Sequence, residues 1–166
     1  MRKTMAVAGL LLAVMSCAKA SETPAHDPAA DKAAVDAVRN HEQAALNAGN
    51  IDSLVLVYSD DIDMMAPGAP AARGVAAVRE LSATMLSDGT PSVSYTSSSV
   101  EIAGDIAVDR YTGTFTMTPK AGGPATNETI KGLHVLRRQA DGSWKIIQDV
   151  WNADPPAAPP APPAKK

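Results

Sequence analysis

The chain is poor in cysteine, in aromatic residues and in basic charge, and each shortage closes off a class of function. Cys17 is the only cysteine among 166 residues, which excludes an internal disulfide and a cysteine metal cluster. Aromatic residues make up 4% of the chain, and the formal net charge is -3. No basic run or aromatic-plus-basic surface is visible, so no nucleic acid partner is expected. The longest apolar run, Met5 to Met15, is too short to span a bilayer. Nothing resembles a phosphate loop, a dinucleotide fingerprint, a nucleophile elbow or a Ser-His-Asp constellation, so no cofactor is expected. Three histidines, His26, His41 and His134, stand in no His-x-His or His-x₃-His pair, and no metal site is expected.

The ends do not read as part of a folded domain. Arg2 and Lys3 followed by the apolar run have the form of a secretory signal over residues 1–16. Val14-Met15-Ser16-Cys17 resembles a bacterial lipobox, which makes Cys17 a lipidated mature N-terminus and residues 17–27 its tether. Cleavage after Ala20, within Ala18-Lys19-Ala20, is the rival reading and yields a soluble periplasmic or secreted protein. An incidental Cys17 is the third. With a lipid anchor the protein sits in the cell envelope, at the outer membrane of a Gram-negative host. Residues 154–166 hold six prolines and four alanines and read as an extended, disordered tail.

Residues 28–153 form the candidate domain. Asp27-Pro28 starts a helix that Gly49 closes, with Val35, Val38, Ala45 and Leu46 on its apolar stripe. Glu42 falls on that stripe, either as a pocket acid paired with His134 or Arg110, or at a helix edge in reach of water. Asn50 caps a short second helix, and a strand covers 60–65. Gly74 opens a third helix. Strands follow at 92–103, 105–118, 127–138 and 143–152. Three helices with one early strand, then an antiparallel meander, indicate an α+β fold. The expected architecture is a cone-shaped barrel: a strongly curved, mostly antiparallel sheet wrapped around three N-terminal helices. Its open end leaves a cavity for a small ligand.

Ala44-Ala45-Leu46-Asn47-Ala48-Gly49-Asn50-Ile51-Asp52, Tyr58-Ser59-Asp60-Asp61, Arg73-Gly74 with Val78, and the run from Asp141 to Asn152 carry a family likeness. Together they resemble the nuclear transport factor 2-like superfamily, in its ketosteroid isomerase and SnoaL-like branch. The resemblance implies the cone fold and a homodimer formed through the sheet. It also argues against steroid isomerisation. That reaction needs a carboxylate base just before a proline on the first strand, a Tyr on the first helix and a protonated Asp on a later strand. Matching the motifs puts Ala66, Glu42 and His134 at those positions.

The groups left for chemistry are His134, Asp149 and Glu42. With Asp141-Gly142 at the turn centre, Asp149 lies opposite His134 on one face of a hairpin. Strand parity groups Ile147, Asp149 and Trp151 toward the cavity, or else Ile146, Gln148 and Val150 with Asp149 in water; Trp144, of opposite parity to Asp149, reads as core or dimer packing. Tyr58 and Met64 are expected at the cavity wall. Arg110 or Tyr111 faces inward, and the pattern leaves this open. The leading reading is an envelope lipoprotein that binds a small, mostly apolar molecule. The second is a cofactor-independent isomerase, cyclase or dehydratase that moves protons with His134, Asp149 or Glu42. The third is a dimeric interaction module with a filled core.

Overall fold

The computed structural model describes residues 27–154. The expected signal segment, the proposed lipidation site Cys17, His26 and the Pro/Ala-rich residues 155–166 lie outside them. Helix α1 spans Pro28–Asn47; the Asp27 carboxylate accepts from the backbone N–H groups of Ala29 and Ala30, and proline at the first position needs no such partner. Helix α2, Ile51–Leu54, is capped by the Asn50 side chain and runs into a 3₁₀ turn at Val55–Val57. Strand β1 covers Tyr58–Met65 and β2 Ala72–Arg73. Helix α3 covers Gly74–Asp88. The meander follows as β3 Gly89–Ala103, β4 Ile106–Pro119, β5 Thr126–Arg138 and β6 Trp144–Ala153.

The fold is α+β, with N-terminal helices against one curved, unclosed sheet of order β2-β1-β6-β5-β4-β3. Every neighbour is antiparallel except β1 and β6, which run parallel. The core fills the space between sheet and helices, with Val35, Leu54, Ile62, Val78, Leu136 and Ile146 at its centre. Pro91 lies inside β3, an edge strand, where a missing N–H is tolerated.

Three features depart from what the sequence predicts. The two-residue strand β2 pairs with β1 across a loop that reads as a breaker. Helix α1 also buries Asp31 and Arg39 along the stripe of Val35, Glu42 and Ala45. Charge is admitted there because partners meet it: Arg138 donates two hydrogen bonds to Asp31, at 2.7 and 2.6 Å. The third is a bulge. His134 pairs with Asp149 and Val135 with Gln148, but Leu136 pairs with Ile146, so β6 holds an extra residue at Ile147. Strand parity therefore changes within β6. Trp144 and Ile146 turn inward together with Asp149, and the expected inward position of Ile147 does not hold.

Candidate functional site

A cavity of about 330 Å³ opens between α3 and the concave face of the sheet. Its wall is largely apolar, with Leu46, Leu54, Met64, Met85 and Ile130 among the lining side chains. Two buried carboxylates, Glu42 from α1 and Asp149 from β6, also line it, as does the exposed Glu128, and it is the first two that meet. Both are almost fully buried, at 1% and 4% exposure.

Sequence chemistry explains how they come together. Glu42 lies seven residues after Val35 on one helical stripe, so it turns toward the sheet. Asp149 lies opposite His134 in the β5–β6 ladder, on the same sheet face. Tyr58 donates a 2.6 Å hydrogen bond to Glu42 Oε1. His134 Nε2 lies 3.2 Å from Glu42 Oε2 and 3.5 Å from Asp149 Oδ1. These are ion-pair distances; the alignment is too poor for a hydrogen bond, and Glu42 Oε2 accepts none. Tyr111 reaches Asp149 Oδ1 at 3.4 Å.

Behind His134 stands a second layer. Its Nδ1 is 3.9 Å from Asp109 Oδ2, and Asp109 is opposite His134 in the β4–β5 ladder. Asp109 is fully buried and accepts from Arg39 Nη1 at 2.8 Å and from the Ser97 hydroxyl at 2.7 Å. Arg39 in turn donates to Asp36 at 2.8 Å. A line of alternating charge thus runs from α1 through β4 to the cavity floor.

The electrostatic consequences follow from those contacts. Burial opposes a charge on His134, but Glu42, Asp149 and Asp109 outweigh it and raise its pKa to about 9. Burial pushes Asp149 upward; His134 opposes this and Glu42 reinforces it, and the result is about 7. Burial also acts upward on Asp109, yet the nearby His134 ring and the hydrogen bonds from Arg39 and Ser97 bring it to about 2. Tyr58 and Tyr111 are raised above the ordinary phenol value, first by burial and then by the neighbouring carboxylates. They stay protonated and act as donors.

The structure brings together most of the residues singled out from sequence. Glu42, Tyr58, Met64, Asp149 and Trp151 line the cavity. His134 does not: it is 1% exposed and lies behind Glu42 and Asp149, with its ring 4.5 Å from that of Tyr111. Arg110 is a clear correction. It is exposed, because Ala107, Asp109 and Tyr111 take the buried parity of β4. Ala66 and Pro67 both line the cavity, and Ala66 faces it with only a methyl group. Sequence reasoning missed Arg39, Asp109 and Tyr95. Arg39 stands three residues before Glu42, but nothing in the sequence names its distant partner Asp109.

Glu42, His134 and Asp149 each offer one atom, all within 4.8 Å of one another. A divalent ion would need the His134 nitrogen free of its proton. Three carboxylates around the ring favour the imidazolium instead, so the donor set fits a proton better than a metal.

A family model described as a SnoaL-like domain matches residues 38–147. No curated protein matches the chain. Among solved structures, a ketosteroid isomerase-like protein from Erwinia carotovora atroseptica is 28% identical, with a TM-score of 0.68 over 75% of this chain and 96% of that one. A conserved protein from Planctomyces limnophilus is 20% identical, with a TM-score of 0.70 over 76% and 99%. A proposed dehydratase of the nuclear transport factor 2-like family, from Streptomyces avermitilis, is 19% identical, with a TM-score of 0.69 over 76% and 99%.

Proposed function

The chain belongs to the SnoaL-like domain family, and from that footing we propose that it moves a proton on a small, mostly apolar molecule held in the cavity. The reaction class is isomerisation or dehydration without a cofactor. One observation carries this reading: two carboxylates from different elements meet on the floor of an otherwise apolar cavity, with a histidine behind them. Asp149 is the proton-transferring group, because its carboxyl changes protonation near neutral pH and faces the ligand space. Glu42 and Tyr58 orient the bound molecule. His134 holds the charge that develops as Asp149 gains or loses its proton. The steroid reaction of the family has no base here, since Ala66 occupies that place.

Deuterium uptake at the α-carbon of a small cyclic ketone, such as 1-indanone in D₂O, tests the reading. The wild-type protein is expected to accelerate uptake, more so as pH rises through about 7. Asp149→Asn is expected to lose about 10² to 10⁴-fold. Uptake no faster than in buffer alone, or an unimpaired Asn variant, would sink the proposal. The apolar lining favours a second reading, reversible binding with no turnover. In that case such ketones bind and are released unlabelled.

For placement we propose a Cys17-anchored envelope protein, on the lipobox-like context of Val14 to Cys17. Intact mass of the mature chain is expected to show diacylglyceryl mass on a Cys17 N-terminus. A Ser21 N-terminus without acyl mass would refute the anchor.

A further inference from the structure

The buried charges around the cavity floor do not balance. Counted formally, Arg39 and His134 supply two positive charges, while Glu42, Asp109 and Asp149 supply three negative ones. Asp36, the other partner of Arg39, is offset by Lys32 at the surface. Asp109 is satisfied by Arg39 and Ser97. Glu42 has the Tyr58 hydroxyl on one oxygen, and its other oxygen accepts no aligned hydrogen bond. Asp149 has only the Tyr111 hydroxyl, at 3.4 Å, and the off-axis His134 nitrogen. The deficit therefore sits on the side of the cluster that faces the cavity.

The cavity wall does nothing to supply the missing charge. Glu42, Asp149 and the exposed Glu128 line it, and among the described residues no Lys, Arg or His does. It does hold an unusual share of aromatic surface. All three tyrosines, the single Phe and Trp151 line it, five of the six aromatic residues in the chain. Aromatic faces attract a cation that has left water, and unmatched carboxylates attract it further.

Resting on the proton-transfer reading of this same cavity, we infer that its ligand is a small aromatic or cyclic amine bound as the ammonium ion, and that carboxylates are excluded. The ammonium sits beside Asp149, where a proton otherwise supplies the missing charge. Burial and Glu42 raise Asp149 to about 7 although His134 acts against them, so the one nearby cation, shared with Glu42, does not hold it ionised. The other groups that face it are Tyr58 on β1, Tyr95 on β3, Tyr111 on β4 and His134 on β5. Around pH 7 these phenols remain neutral and His134 remains charged, so Asp149 is the group that exchanges its proton for the ligand. Ammonium binding takes the place of that proton and holds Asp149 ionised.

Calorimetric titration of the full-length protein with 2-phenylethylamine, 2-phenylethanol and 3-phenylpropanoate tests the inference, since the three share a ring and differ in charge. Near pH 7.5 the amine is expected to bind at least tenfold more tightly than the alcohol, with no measurable binding of the carboxylate. Its affinity is expected to fall by more than about tenfold on going to pH 5.5, as Asp149 takes up its proton. Asp149→Asn is expected to remove the preference for amine over alcohol. The wild-type pH dependence decides the matter if that variant does not fold. Alcohol binding as tight as the amine would overturn the amine inference and leave proton transfer standing. Binding of the carboxylate, or of none of the three, would overturn it too, while ketone labelling judges the catalytic reading separately. Equimolar Zn²⁺ that stabilises the protein and blocks the amine would give the missing charge to a metal and overturn it as well.

Discussion

His134 and Asp149 face each other across a strand pair, and their environments push both pKa values up for different reasons. His134 is raised because negative neighbours outweigh its burial; Asp149 is raised because burial and Glu42 outweigh His134. If the pairing has electrostatic weight, removing one charge moves the other group. Asp149→Asn leaves the shape nearly intact and deletes a charge 3.5 Å from Nε2. The titration midpoint of His134, followed by NMR of the ring, is expected to fall from about 9 toward the ordinary value near 6.5. An unchanged midpoint would mean that Glu42 and Asp109 alone hold the proton.

Two local devices in the strands shape the cavity floor. At Gly132, a Cβ would come within 2.5 Å of the Tyr111 hydroxyl oxygen and of the Val150 carbonyl oxygen. The missing side chain lets the Tyr111 ring lie across β5 and reach Asp149. Gly132→Ala is expected to cost roughly 1 to 3 kcal/mol by crowding, read as a lower urea midpoint. A variant as stable as the wild type would show that the ring shifts freely. The second device is the bulge at Ile147. It explains why part of the site was legible in the sequence and part was not. The loop leaves Arg138 opposite Trp144 and Leu136 opposite Ile146, one residue off the register expected from an Asp141-Gly142 centre, and the extra residue at Ile147 restores that register at His134–Asp149, so the expected pair holds only because the bulge offsets the turn. Parity misplaced Ile147, since an extra residue leaves no mark in the alternation of apolar residues, whereas Trp144 lies in the core. The pair Asp109–His134 was illegible for another reason. Residues 120–125 join β4 to β5 as a longer loop, and its length does not fix a register. The helices were readable from their caps and stripes. Arg39 and Asp31 were not, because a charged residue on a buried face is explained only by partners far away in sequence, here Asp109 and Arg138.

For the whole molecule, these titrations combine into a dependence of stability on pH. Asp109 is lowered to about 2, so its contribution is present above its unfolded value near 3.8 and is lost as pH falls through 2. Asp149 is raised, so the folded chain keeps a proton that the unfolded chain has released, and stability declines as pH rises from about 4 to about 7. His134 is also raised; its contribution is complete below about 6.5 and is lost as pH rises through 9. Stability is therefore expected to peak near pH 4 to 5 and to fall by a few kcal/mol toward pH 9. Urea midpoints measured across that range check the sign, and a protein most stable at pH 9 would contradict it. The sheet order carries a consequence of another kind. Strand β6 lies between β1 and β5, so it alone joins the early half of the sheet to the meander. A growing chain that has not yet released residues 144–153 has two separate pieces of sheet and no Asp149 at the floor between them. Assembly waits for the final strand, whose parallel contact with β1 spans about half of the chain and is slow to close. During synthesis the domain stays open until almost its last residue, and its binding site is completed at the same moment as its fold.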